Sequence, residues 1–108
     1  MVFYKDINSL KLMKELDILK ICEERRPGFE YEVLQKLKII FQAYLDGRID
    51  LEELIYTILC ISVSLEDLDK VAGFDIIDVL DVNVAKDPKQ FIMQQKILLD
   101  KCLKNQPG

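Results

Sequence analysis

Four residues in the middle of the chain have the types and the spacing that binding of a hard cation requires. Asp46, Asp50 and Glu53 supply carboxylates, and Gly47 supplies the backbone freedom that a sharp turn among them needs. Calcium prefers oxygen ligands of this kind and takes six to eight of them. A calcium site here therefore needs further oxygen ligands from the residues before Asp46.

The segment resembles the second half of an EF-hand calcium loop. With Gly47 at position six of the twelve-residue loop, Asp50 falls at position nine and Glu53 at position twelve. Gln42 and Tyr44 then occupy positions one and three, where carboxylates are needed. We therefore predict no metal ion and no cofactor, and we interpret the segment as a joint that ends one helix and starts the next.

The residue types needed for catalysis are scarce. Histidine is absent, which removes the commonest general base and the commonest zinc ligand. Cys22, Cys60 and Cys102 lie about forty residues apart in apolar segments, a pattern typical of buried thiols and not of disulfides or metal sites. The sequence therefore predicts a protein that is not an enzyme.

Apolar residues recur at helical spacing along nearly the whole chain, and no segment alternates polar and apolar residues as a strand does. This pattern predicts an all-α fold, a compact single-domain bundle of five or six helices with short connections. The domain is predicted to cover 1–104, with 105–108 as a frayed tail. Helices are predicted over residues 9–24, 30–45, 51–61, 65–71, 76–80 and 88–103. The segment 51–61 is apolar on nearly every side, which favours a buried position at the centre of the bundle.

Four of the predicted helices have a start signal. Asp50, Ser64 and Asp75 each stand between apolar residues and precede an acid by three positions, which is the spacing of an N-cap with a capping box. Asp87 precedes Pro88, a residue favoured at the first helical position. We expect all four side chains to cap helices.

Residues 50–75 also resemble a helix-turn-helix, with the turn at 60–63 and a second helix from 64. That second helix carries Glu66, Asp67 and Asp69 but only one base, Lys70. Because contact with phosphate requires Lys or Arg, this charge disfavours DNA binding by the helix. A diverged helix-turn-helix protein that binds DNA through bases elsewhere is the weakest of three functional hypotheses.

The middle of the chain is strongly acidic. Residues 46–81 contain ten acids and two bases. Helix capping explains several of these acids but leaves a surplus, and we predict that this surplus forms an interaction surface: Glu52, Glu66, Asp69 and Asp81. Such a surface favours a basic protein partner, so a second hypothesis is an acidic regulator or inhibitor of a nucleic-acid-binding protein.

The predicted helix 88–103 has more apolar residues than one stripe requires. We predict that part of it forms a partner-binding face, with these residues: Phe91, Ile92, Leu99 and Leu103. The alternative is that both of its stripes contact the core.

The leading functional hypothesis is non-catalytic protein binding, by an accessory or adaptor domain that self-associates as a homo-oligomer or joins a larger assembly. No apolar run approaches the roughly 20 residues that cross a bilayer, and the N-terminal residues lack the order of a secretion signal. We therefore expect a cytoplasmic protein without membrane contact.

Overall fold

Helix α3 lies at the centre of the fold. The computed structural model describes residues 10–66, 68 and 70–105. Within them the chain forms α1 (Lys11–Glu15), α2 (Ile18–Glu24), α3 (Phe29–Leu45), α4 (Leu51–Leu65), β1 (Lys70–Val71), β2 (Phe74–Asp75), a 3-10 helix (Ile77–Val84) and α5 (Pro88–Lys104). The all-α prediction is confirmed, because the structure is 73% helical and the only sheet among its described residues is the two-stranded β1–β2 hairpin.

Helix α3 packs against α2, α4, α5 and β1. Its apolar residues are buried along the length of the helix: Val33, Leu34, Leu37, Ile40, Phe41 and Tyr44. The prediction that residues 51–61 form the buried centre is wrong in one respect. Helix α4 packs on α2, α3 and the 3-10 helix, but one of its sides faces solvent.

The predicted helix 9–24 is two helices. The break falls at Leu16 and Asp17, and Asp17 adopts a left-handed backbone with φ of 54°. Asp tolerates this conformation better than most residues, so the sequence is compatible with the break but contains no signal that predicts it. Both parts still face the core, since Met13 and Cys22 are buried.

The joint between α3 and α4 has the predicted form. Gly47 has a left-handed φ of 81°. The N–H of Gly47 donates to Tyr44 O at 3.0 Å and that of Arg48 to Ala43 O at 2.9 Å, the two bonds of a Schellman cap. Asp50 then caps α4 by accepting from the N–H of Glu53 at 2.8 Å.

Helix α4 extends four residues beyond its predicted end, to Leu65. Ser64 therefore lies inside α4, and the predicted cap at Ser64 and the predicted helix 65–71 are wrong. Ile58, Ile61 and Leu65 repeat at helical spacing and are all fully buried, so core packing continues the helix past the capping signal.

A hairpin follows where the last part of that helix was predicted. Its two-residue turn has positive φ at Ala72 and Gly73, the geometry that suits a tight hairpin. The N–H of Ala72 donates to the Glu30 carboxylate, which ties the hairpin to α3.

The cap at Asp87 is confirmed, because Asp87 accepts from the N–H of Gln90 at 3.2 Å at the start of α5. Asp75 accepts from the N–H of Asp78 at 3.2 Å, but it lies one residue before Ile76, the N-cap of the 3-10 helix. The predicted helix 76–80 is thus a 3-10 helix that runs to Val84. The predicted frayed tail lies outside the described residues except for Asn105, whose N–H donates to Lys101 O. None of the described helices has the length and apolar content needed to cross a membrane.

Candidate interaction surfaces

The outer face of α4 brings together two of the predicted acidic residues and two apolar residues. Glu52, Leu59 and Val63 are separated by seven and four positions, so they share one side of the helix, and Glu66 follows Val63 by three positions as the C-cap. Leu59 is 39% exposed and Val63 is 70% exposed, and both glutamates are exposed. We call these four residues the α4 face. It extends about 21 Å along the helix axis.

The opposite side of α4 packs against the core. Its buried residues are Leu54, Thr57, Ile58, Ile61 and Leu65. The buried hydroxyl of Thr57 donates to Glu53 O at 2.8 Å and is therefore satisfied. Because α4 is apolar on more than this side, the core leaves part of its apolar surface uncovered. Leu59 and Val63 are that remainder.

Glu66 stands where local helix physics favours another residue. It is the C-cap of α4, with a positive φ of 35°, a region in which glycine is favoured over residues with a side chain. An acid at a helix C-terminus also faces the negative end of the helix dipole. A structural role therefore does not explain Glu66.

Asp81 lies on the exposed ridge of the 3-10 helix. Side chains three positions apart are aligned in such a helix, so Asp78, Asp81 and Val84 form one ridge while Val79 and Val82 form the buried one. Asp81 is thus exposed, as its predicted role requires. Asp69, the remaining acidic residue predicted for the surface, lies outside the described residues.

The buried stripe of α5 corrects the predicted partner-binding residues. Ile92 and Leu99 are 0% exposed, because α5 lays this stripe against the core. Phe91 and Leu103 are half-buried and also pack against the core. The side chains of Ile92 and Leu99 are therefore unavailable to a partner in this fold.

The second apolar stripe of α5 faces outward. Met93, Ile97 and Leu98 are 49%, 56% and 48% exposed. Met93 and Ile97 are four positions apart and line a groove of about 500 Å³ between α3 and α5, together with Leu45. The prediction of an apolar excess on this helix therefore holds, but at different residues.

Polar contacts along the α3–α5 seam fix the position of this groove. Lys38 and Asp100 form an ion pair at 2.9 Å. The Lys96 ammonium donates to the Gln42 side chain. Nearer the N-terminus of α5, Lys89 donates to the carbonyl of Tyr44 and lies 4.2 Å from the centre of its ring.

The titratable groups near the core favour their protonated forms. Burial raises the pKa of the Cys22 thiol to about 11, although the positive charge of Arg25 acts in the opposite direction. Burial also raises the pKa of Cys60, and burial together with the Asp87 carboxylate raises that of Tyr44. Because the thiolate is the nucleophile, neither of these two cysteines is activated at neutral pH.

Two of the three carboxylates of the calcium-like segment make structural contacts. Asp46 accepts from the Gln42 side chain at 2.9 Å, and Asp50 caps α4. In the part of the chain that the structure describes, no three Asp, Glu or Cys side chains converge into a possible metal site.

The turn predicted for the helix-turn-helix is absent, because α4 continues as a helix through residues 60–63. Arg25, a base outside residues 50–75, has structural partners. Its guanidinium donates to Leu65 O at 3.0 Å and to Cys22 O at 3.2 Å.

Comparison of the chain with protein-family models, with curated proteins and with solved structures gave no match. Sequence reasoning missed Leu59 and Val63 as surface residues. The signal that points to them is α4 itself, because a helix that is apolar on nearly every side needs more neighbours than a chain of 108 residues supplies.

Proposed function

We propose that the protein is a non-catalytic protein-binding domain, an accessory or adaptor subunit that acts through self-association or within a larger assembly. One observation carries this proposal: two helices each expose a pair of apolar side chains spaced by four residues. The pairs are Leu59 and Val63 on α4, and Met93 and Ile97 on α5. Single exposed apolar residues are ordinary, whereas paired ones on a helix face form a strip that a partner helix can cover.

The charges beside these strips give the proposal specificity. Helix α4 contains no Lys or Arg, and its strip lies between Glu52 and Glu66. Helix α5 contains four Lys and one acid, Asp100, and that acid is paired with Lys38. A partner is therefore selected by charge as well as by apolar contact.

The acidic regulator is a second candidate, and the position of Glu66 favours it. This acid costs local stability at the C-terminus of α4, which suggests that a partner uses it. A basic protein that binds the α4 face loses affinity at high salt. Reversal of Glu66 to Lys should weaken the binding of such a partner at low salt, and an unchanged affinity would count against this candidate.

The proposed location is the cytoplasm. Cys22, Cys60 and Cys102 are all free thiols, which agrees with a reducing compartment.

Light scattering over a concentration series tests the self-association form of the proposal. We expect the mass to rise above the 12.6 kDa of the monomer between about 10 µM and about 1 mM, the range typical of small interfaces. A variant with both Val63→Ser and Ile97→Ser should remain monomeric over that range. Val84→Ser is the matched control, because Val84 is 82% exposed and belongs to neither strip.

Affinity capture with the same two variants tests the heteromeric form. Partners lost by the strip variant and kept by the Val84 control support a binding surface at the strips. A wild-type protein that stays monomeric and captures the same proteins as the strip variant would overturn the proposed function.

A further inference from the structure

We propose that the α4 face of one copy binds the outer face of α5 on a second copy, with the two helices antiparallel. This inference rests on the proposed function and specifies its partner as the chain itself. The outer face of α5, here called the α5 face, consists of Lys89, Met93, Ile97 and Lys104. All four residues are exposed in the free protein, and the Lys89 ammonium at the same time contacts the carbonyl and the ring of Tyr44.

The residue spacing on the two faces matches. On α4, Glu52 and Glu66 are fourteen residues apart, about 21 Å along the axis. On α5, Lys89 and Lys104 are fifteen residues apart, about 22 Å. Each pair of charges therefore encloses an apolar pair over nearly the same length.

The order of residues fits only one direction. The apolar pair of α4 lies nearer Glu66 than Glu52, while the apolar pair of α5 lies nearer Lys89 than Lys104. An antiparallel alignment consequently sets Glu66 opposite Lys89 and Glu52 opposite Lys104. The same alignment sets the two apolar pairs against each other, with Val63 opposite Met93 and Leu59 opposite Ile97.

The angular positions agree as well. At 100° per residue, the three members of the α4 face that lie within the helix, Glu52, Leu59 and Val63, fall within an arc of about 40°. The members of the α5 face fall within about 80°, an arc that also contains Asp100, the acid paired with Lys38. Both arcs are narrow enough for two helices packed side by side at a small crossing angle. Pairing of two α4 faces would oppose Glu to Glu, and pairing of two α5 faces would oppose Lys to Lys, so charge disfavours both.

Such a contact joins different surfaces on the two copies. In one copy, α4 packs mainly on α2 and the 3-10 helix, and α5 packs mainly on α3 and the 3-10 helix. The two helices do not pack mainly on each other, so each copy retains one free face after it binds a neighbour. The association is therefore heterologous and continues into longer chains or closes into a ring. One helix pair covers less than the roughly 800 Å² per partner of a stable interface, so the expected affinity is weak.

Two blocking variants test the arrangement. Val63→Glu places a further acid in the α4 face, and Ile97→Lys places a further base in the α5 face, and both positions are exposed enough to accept a charge without unfolding. Each variant alone should lose at least ten-fold in self-association, because each has lost one of the two faces. An equimolar mixture should form a dimer of twice 12.6 kDa and stop there, since the Ile97 variant keeps its α4 face and the Val63 variant keeps its α5 face.

The controls separate the failure of this inference from that of the proposed function. Val84→Glu should associate like the wild type, and circular dichroism should show equal helix content in all variants. If the wild type associates but either blocking variant associates equally well, or the mixture stays monomeric, the face-to-face arrangement is wrong and the proposed function stands. If the wild type is monomeric to about 1 mM, the arrangement is overturned, while capture of other proteins through the strips still supports the proposed function.

A charge exchange tests the direction of the helices. Glu52→Lys and Lys104→Glu should each weaken association about two- to five-fold, the effect of one exposed ion pair. The two changes in one chain should restore wild-type association. The antiparallel register would be wrong if the chain with both changes fails to regain wild-type association while the mixture of the Val63→Glu and Ile97→Lys variants still forms a dimer.

Discussion

The side chain of Arg25 joins the ends of two helices, and its removal gives the sharpest test of the fold. The guanidinium donates to Cys22 O at the end of α2 and to Leu65 O at the end of α4. Both carbonyls belong to last helical turns, where the partial negative charge of the dipole attracts a cation. Hydrogen bonds to a charged group are each worth about 1.5 to 3 kcal/mol.

We expect Arg25→Ala to lower the free energy of unfolding by about 2 kcal/mol. This estimate takes about 1 kcal/mol for each bond, because the side chain is only half-buried and water replaces part of each interaction. The backbone of Arg25 is left-handed, with φ of 48°. Arg25→Gly relieves this conformation by about 1 kcal/mol and should therefore lower the free energy of unfolding by only about 1 kcal/mol.

Urea unfolding followed by circular dichroism measures the free energy of unfolding of the wild type, Arg25→Ala and Arg25→Gly on one scale. Arg26→Ala is the matched control, because the Arg26 side chain is 75% exposed and forms only a surface ion pair with Glu24 at 3.3 Å. That control should change stability by less than about 0.5 kcal/mol. Equal effects at positions 25 and 26, or a greater loss with Gly than with Ala at position 25, would show that the Arg25 guanidinium does not stabilise the two helix ends.

The remaining predictions concern three single positions. Asp50→Ala should lower the free energy of unfolding by roughly 0.5 to 2 kcal/mol through loss of the α4 cap, equally with and without millimolar calcium; a calcium-dependent difference in thermal unfolding would contradict this. Glu66→Gly should raise the free energy of unfolding by about 1 kcal/mol through relief of the positive φ. Glu66→Gln should raise it by roughly 0.3 kcal/mol through removal of the charge at the helix end. Both values are measured by urea unfolding, and a loss of stability in both variants would show that the Glu66 side chain stabilises the fold. The pKa of Cys22 is raised from 9.0 to about 11, so its contribution to stability is complete below pH 9 and lost as the pH rises to about 11. Alkaline urea titrations should therefore show a smaller decline for Cys22→Ala than for the wild type, and equal slopes would remove Cys22 as the cause.

The sequence predicts the helices with strong periodicity well. Helix α3 and helix α5 have bounds within one residue of those expected, because their apolar stripes and end signals agree. The cap at Ser64 shows the limit of such signals. There the apolar spacing of Ile58, Ile61 and Leu65 continues across the cap, and burial of those side chains outweighs one capping bond.

The surfaces were predictable only in part. Acids in excess of the caps pointed correctly to exposed positions at Glu52, Glu66 and Asp81. The stripe of α5 that faces the core could not be chosen from periodicity, because both stripes have helical spacing. Which stripe of α5 faces the core depends on the position of α3 in the tertiary structure, and the local sequence pattern does not specify that position.

The seam between α3 and α5 also determines when the fold can be completed. Its contacts join residues far apart in the chain, with 45 positions between Tyr44 and Lys89 and 54 between Gln42 and Lys96. During synthesis α3 can pair with α2 at once, but α5 follows the end of α3 by about 3 to 12 seconds at ordinary elongation rates. Throughout that interval the side of α3 that α5 later covers remains exposed, so the nascent chain passes through a stage at which it is most open to premature association.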